Sequence, residues 1–293
     1  MPKTVSHYVL LVVVPLLAWA LAQGAPGTGG AGTGGAASQR AGANPSERII
    51  NIDYSGGSQH SESLRYGPIV FDHPNPEGIV GTVSNLTIYS NHAVLEAPEG
   101  VLIAKAEGQR RASFTGGVRV VRGRLTAKGP KLVYSEASGE GVMPEKTAIV
   151  VTPEQEGDDP VEIGTDRVTF DVDTDMSVSE GHVTLHNGPQ SAEAGRLVFE
   201  EGRNLAKMAT ADGQVTARRK DEDGSELVIT ADVIRVLTDA DRLLATGHVT
   251  IVDGAITSTG NTVFFDDEAS RALILGKPAV SVDEANGTRT SGA

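Results

Sequence analysis

Two histidines, His182 and His248, stand in the same tetrapeptide, Gly-His-Val-Thr, 66 residues apart, and His186 follows the first by four. On a strand such a spacing puts His182 and His186 on one face, where two imidazoles could hold a metal ion. The recurrence of the tetrapeptide argues instead for a structural position on the outer face of a repeated strand. The stretch Asp171-Val-Asp-Thr-Asp175 opens like a calcium loop. Met176, however, stands where that loop needs glycine, and His182 where it needs a bidentate glutamate, so it reads as a polar turn. There is no Gly-x-Ser-x-Gly, no phosphate loop and no His-Glu-x-x-His. With no cysteine, thiol nucleophiles, thiolate metal sites, disulfides and a lipidated N-terminal cysteine are excluded together. No catalytic residues, metal ligands or cofactors are therefore assigned, and the chain is not read as an enzyme.

The elements that carry these residues repeat. Gly181–Met208 and Gly247–Ile274 align without a gap, with seven of 28 positions identical. A third copy starts at Gly116. An aromatic residue falls 18 positions after the first glycine in each copy (Tyr134, Phe199, Phe265), and a small residue falls at plus 13 (Gly129, Ala194, Gly260). A half-period copy starts at Gly213 and weaker ones lie over 148–170 and from Gly81, giving a unit of about 33 residues. Valine, isoleucine and threonine dominate, short runs alternate, and Asn187-Gly188, Asp223-Gly224 and Asp253-Gly254 are two-residue hairpin signals. The expectation is an all-β protein: an elongated, twisted, solenoid-like stack of antiparallel hairpins over residues 47–293.

Alternation assigns the faces. Val118 and Val120, Val183 and Leu185, Val215, and Val249 and Ile251 line one face of the outgoing strands, whereas Arg119, His182, Thr184 and Thr250 point away. On the return strands Leu132 pairs with Tyr134, Leu197 with Phe199, Ile234 with Val236 and Val263 with Phe265. Facing aliphatic stripes make either a filled core or an apolar groove, and the pattern leaves both open.

Composition and the N-terminus bound the setting. A net charge of −13 argues against a nucleic-acid partner, and Arg110-Arg111 and Arg218-Arg219-Lys220 read as solvated strand ends. Lys3, the apolar run Tyr8–Leu21 and the small-x-small site Ala20–Ala22 predict an export signal over 1–22, cleaved before Gln23. The competing reading is an uncleaved single-span anchor over Val5–Ala22. Residues 23–46, rich in Gly, Ala, Ser and Thr, read as a flexible linker.

The recurring Gly-x-Val-x-hydrophobic, turn, small residue and Asp-x-hydrophobic pattern, as in Thr165–Asp171 and Ala231–Leu237, resembles the LptA/OstA family of periplasmic lipopolysaccharide-transport proteins over most of residues 48–285. That resemblance implies a β-jelly roll open along one side, whose interior carries acyl chains. It also implies partners: lipopolysaccharide or a related glycolipid, transport components of the inner and outer membranes, and head-to-tail copies of the chain. The fifteen inward residues named above would then line a lipid groove. The Gly-rich linker departs from the family pattern, and the β domain is longer than a minimal shuttle. Two alternatives remain: an exported structural or adhesive solenoid with a filled core, and a membrane-anchored, LptC-like component of the same pathway.

Overall fold

The computed structural model describes residues 45–293 apart from 154–156, 158, 201–202, 204, 221–223, 238–241, 267–270, 277 and 293. The expected signal and nearly all of the expected linker lie outside the described residues. After a short 3-10 turn, Pro45–Arg48, the described chain is almost wholly strand, and every pairing is antiparallel. The first strands are β1 (Asn51–Asp53), β2 (Ser58–His60), β3 (Ile69–Asp72), β4 (Ile79–Val83), β5 (Leu86–Ser90) and β6 (His92–Glu96). Two long strands follow, β7 (Arg111–Arg122) and β8 (Leu125–Ser135), then four short ones: β9 (Glu140–Met143), β10 (Thr147–Val151), β11 (Val161–Thr165) and β12 (Arg167–Asp171). The same order of two long and four short returns in β13 (Met176–Asn187), β14 (Gln190–Glu200), β15 (Leu205–Ala209), β16 (Val215–Lys220), β17 (Glu226–Ala231) and β18 (Val233–Leu237). It begins a third time with β19 (Arg242–Asp253) and β20 (Ile256–Asp266), followed by β21 (Arg271–Leu275), β22 (Ala279–Asp283) and β23 (Thr288–Gly292).

Pairing resolves these strands into two layers that share the long strands. Sheet I runs β1-β4-β5-β7-β8-β10-β11-β13-β14-β16-β17-β19-β20-β22-β23. Sheet II runs β2-β3-β6-β7-β8-β9-β12-β13-β14-β15-β18-β19-β20-β21. Each long strand gives one half to each sheet. The layers face one another: a Cβ on Gly81 of sheet I would come within 2.7 Å of the Phe114 ring in sheet II. The 33-residue unit is thus a hairpin that crosses from sheet II to sheet I and back. One hairpin in two is continuous. In the next, the crossing is broken at Pro144–Lys146 and Asp166, or at 210–214 and Asp232, which explains why the clearest sequence offset is two units long.

The crossing is a β-bulge built by the Gly-His motif. Two residues, Gly116-Gly117, Gly181-His182 or Gly247-His248, oppose a single residue on the partner strand. Their φ values are positive in succession: 84° and 86°, 76° and 42°, 81° and 44°. The second position lies in the left-handed region that histidine enters more readily than a β-branched residue does. The small residues at plus 13 sit just beyond the bulge, opposite Val118, Val183 and Val249. They are small because the next unit abuts them; a Cβ on Gly129 or Gly260 would meet Met143 or Ile274 at 2.8 Å. The two-residue hairpin loops are Gly123-Arg124, Gly188-Pro189 and Gly254-Ala255, so Asn187 and Asp253 end their strands and only the glycine of each Asn-Gly or Asp-Gly signal lies in the loop. Asp223 lies outside the described residues.

Candidate functional site: an apolar seam between two sheets

In cross-section the bulges form a closed spine, while the hairpin loops of sheet I and the connections of sheet II form two rims. Between them a single apolar cluster extends from Ile50 to Phe265. Fourteen of the fifteen sequence-predicted residues lie in it, and Phe199 does not. Val118, Val120, Leu132, Tyr134, Val183, Leu185, Leu197, Val215, Ile234, Val236, Val249, Ile251, Val263 and Phe265 are all buried. Phe199 faces inward by register but is half-buried, because it stands near the rim between the small residues Ser177 and Ala206. Their outward neighbours behave as alternation requires. Arg119 lies 3.9 Å over the Tyr89 ring and bonds both oxygens of Glu77, which holds that carboxyl below its ordinary range, while Thr184 is exposed and Thr250 half-buried.

The histidines belong to the spine. His182 Nδ1 lies 2.6 Å from Asp166 Oδ2 and His248 Nδ1 2.9 Å from Asp232 Oδ2, with both imidazoles largely in solvent. The Asp166 and Asp232 amides donate to the Gly181 and Gly247 carbonyls at 3.0 and 2.9 Å. In the earlier unit Asn91 takes the aspartate's place beside Gly116. The aspartate of the Asp-x-hydrophobic motif therefore braces the bulge, and His182 turns its ring to Asp166 rather than to His186.

The rims hold what the sequence reading missed. Strand alternation puts Arg122 on the face of Val118 and Val120, and its guanidinium is indeed interior: it lies 5.6 Å from the Phe170 ring centroid and donates to the Met176 carbonyl at 3.3 Å, crossing from the rim of sheet I to that of sheet II. Asn85 makes the same crossing to Asp175 at 2.7 Å. The N-terminal segment forms a strap. Arg48 grips Asp173 through two hydrogen bonds and donates to the Ala137 carbonyl, while its own carbonyl accepts the Tyr134 hydroxyl. Burial pushes the Tyr134 phenol up, with Glu136 adding to the effect. The Asp171–Asp175 stretch ends β12 and turns over residues 172–175, where Asp173 anchors this strap.

The basic doublets differ from the reading as solvated strand ends. Arg110 is bidentate on Glu136, whose side chain has no exposed surface and also accepts the Ile50, Gly108 and Arg110 amides. Arg219 is buried as well. Both follow the inward parity of their strands or connections, and a long aliphatic stem makes arginine compatible with it. Only Arg111, Arg218 and Lys220 conform to the expectation of exposure.

No protein-family model and no curated protein matches the chain. Among solved structures it is similar to the crystal structure of LptH from Pseudomonas aeruginosa, the LptA-homologous periplasmic component of the conserved lipopolysaccharide transport device. The match is 12% identical, covers 40% of this chain and 82% of that chain, and has a TM-score of 0.36. At that level it transfers no residue roles.

Proposed function

We propose that the chain is a non-catalytic, exported envelope protein that takes the acyl chains of lipopolysaccharide or a similar glycolipid between its two sheets and carries or bridges them across the periplasm. One observation carries this reading: a continuous apolar seam bounded by two sheets that are joined covalently along the spine and meet at the rims through side chains and a strap. A lipid chain leaving a membrane for water costs about 0.8 kcal/mol per methylene, and a seam of this kind removes that cost along its whole length. No bond needs to be made or broken. The fifteen inward residues form the groove in this proposal, Phe199 marks a place where the seam meets solvent, and membrane components at either end together with further copies of the chain are the partners.

A second reading has its own support. Val120, Tyr134, Phe170 and Ile229 have no measurable exposure, as expected of the filled core of a structural β-stack. Lipid entry therefore requires the rims to part and these side chains to repack. Photo-crosslinking residues at Val120, Leu185 and Ile251, with Arg119, Thr184 and Thr250 as outward controls, separate the two. Lipid adducts at the inward positions alone, identified by mass spectrometry after expression in an envelope-bearing host, are the expected result. Destabilisation of about 2 to 5 kcal/mol at inward large-to-small substitutions with no adduct anywhere would establish the filled core.

A further inference from the structure

A second feature lies outside the seam, on the outer face of sheet II. There β7, β8, β9 and β12 enclose an open cleft of about 450 Å³. Register sets out its walls. Val133 pairs with Val142 to make an apolar floor. One step toward the rim, Arg111, Ser135 and Glu140 form a row across three strands. At the opposite end Lys131 and Arg167 flank Pro144; Val168 is opposite Met143, so Arg167 lies beside Pro144, about 10 Å from Lys131 at the backbone given a strand spacing of about 4.8 Å.

The charged groups that line the cleft are mostly cationic. Arg110, Arg119 and Arg196 each have a carboxylate partner. Among the described residues Arg111, Lys131 and Arg167, like several other lysines and arginines, make no ion pair, and register sets Glu96 opposite Arg111 and Glu180 opposite Arg167 on the neighbouring strands. Three cations nonetheless line one concavity whose own lining holds a single carboxylate, Glu140. Two long cationic side chains on either side of a proline can close on a tetrahedral oxyanion between them. The Ser135 and Ser138 hydroxyls and the Glu140 carboxylate, at the other end, suit neutral hydroxyl groups, and the valine floor suits the C–H face of a polyol.

We infer that this cleft binds a phosphate ester of a polyol, with the phosphate between Lys131 and Arg167 and the hydroxyls toward Ser135, Ser138 and Glu140. The inference is independent of what the seam holds. The ester can be a free sugar phosphate or the headgroup of a lipid, and two probes distinguish them. Glucose 6-phosphate is titrated into the full chain by calorimetry, with glucose as the unphosphorylated control. Phosphatidylglycerol vesicles in a phosphatidylcholine background are tested by co-sedimentation. Saturable binding of either probe, weakened at least tenfold in Lys131→Gln/Arg167→Gln and unchanged in the charge-matched Arg218→Gln/Lys220→Gln, is expected; which probe binds assigns the source. Circular dichroism confirms that both double variants are folded. The assignment is overturned if neither probe binds the wild type, if glucose binds as well as its phosphate, or if the two double variants lose binding equally.

Discussion

Glu136 has no exposed side-chain surface, yet it is the acceptor for one guanidinium and three backbone amides drawn from two separate segments. A buried carboxylate this well satisfied is costly to remove, because every donor it leaves stays dry. Glu136→Ala is expected to destabilise by about 3 to 5 kcal/mol in urea unfolding. Arg196→Ala, which breaks the exposed pair with Glu180, is expected to change stability by less than about 0.5 kcal/mol. Equal effects would show that Glu136 is not the tie between the N-terminal segment and the first long hairpin. The contrast was not legible in the sequence, where Glu136 is one acidic residue after a strand and Arg110 half of a basic doublet. Nothing local marks a partner 26 residues away.

At the scale of the element, the bulge decides whether a strand can serve both sheets. Gly247 has φ of 81°, and a Cβ placed on it would lie 2.1 Å from Asp232 Oδ2, whereas Gly254 in the adjoining hairpin loop has φ of 54° and open space around the same position. Both substitutions to alanine incur the left-handed penalty of about 1 to 2 kcal/mol, but only Gly247→Ala also displaces the aspartate that braces the bulge. Thermal unfolding should therefore rank Gly247→Ala clearly below Gly254→Ala, and the reverse order would remove the bracing role from Asp232. Here the sequence was informative in part. Its period, its alternation and its small residue at plus 13 all reflect the geometry of the crossing. The histidine's positive φ was not legible, since a Gly-His pair inside a valine-rich run reads equally well as straight strand. Nor was Arg122, whose inward parity was plain but whose charge kept it out of an apolar list.

Over the whole molecule, the stack has two ends, and among the described residues neither is closed by a cap of regular helix. At the C-terminal end β21 is the last strand of sheet II, with Leu273 and Leu275 each about half exposed, and β23 is the last of sheet I. Unpaired edges with apolar side chains invite another strand. If copies join end to end, Leu273→Lys/Leu275→Lys will shift light-scattering masses toward the monomer at concentrations where the wild type associates. Wild-type protein that remains monomeric throughout would remove self-association from the proposal. The fold class was readable from the sequence because repeated hairpins leave a periodic signature. The closure of the rims was not, because Arg48 and Asp173 are distant in sequence and belong to no repeat.

Every hairpin between the two ends of this stack hydrogen-bonds to the one before it and the one after it, and the arrangement returns to the same state after each pair of hairpins. Length is consequently a free parameter of the design. Removing 176–241 would bring β19 against β11 and β12 in the place vacated by β13, with Gly247-His248 falling beside Asp166 as Gly181-His182 now does. A gene encoding this chain can therefore lengthen or shorten by duplicating or losing one such segment in frame, and the length of the stack can change without inventing a new interface.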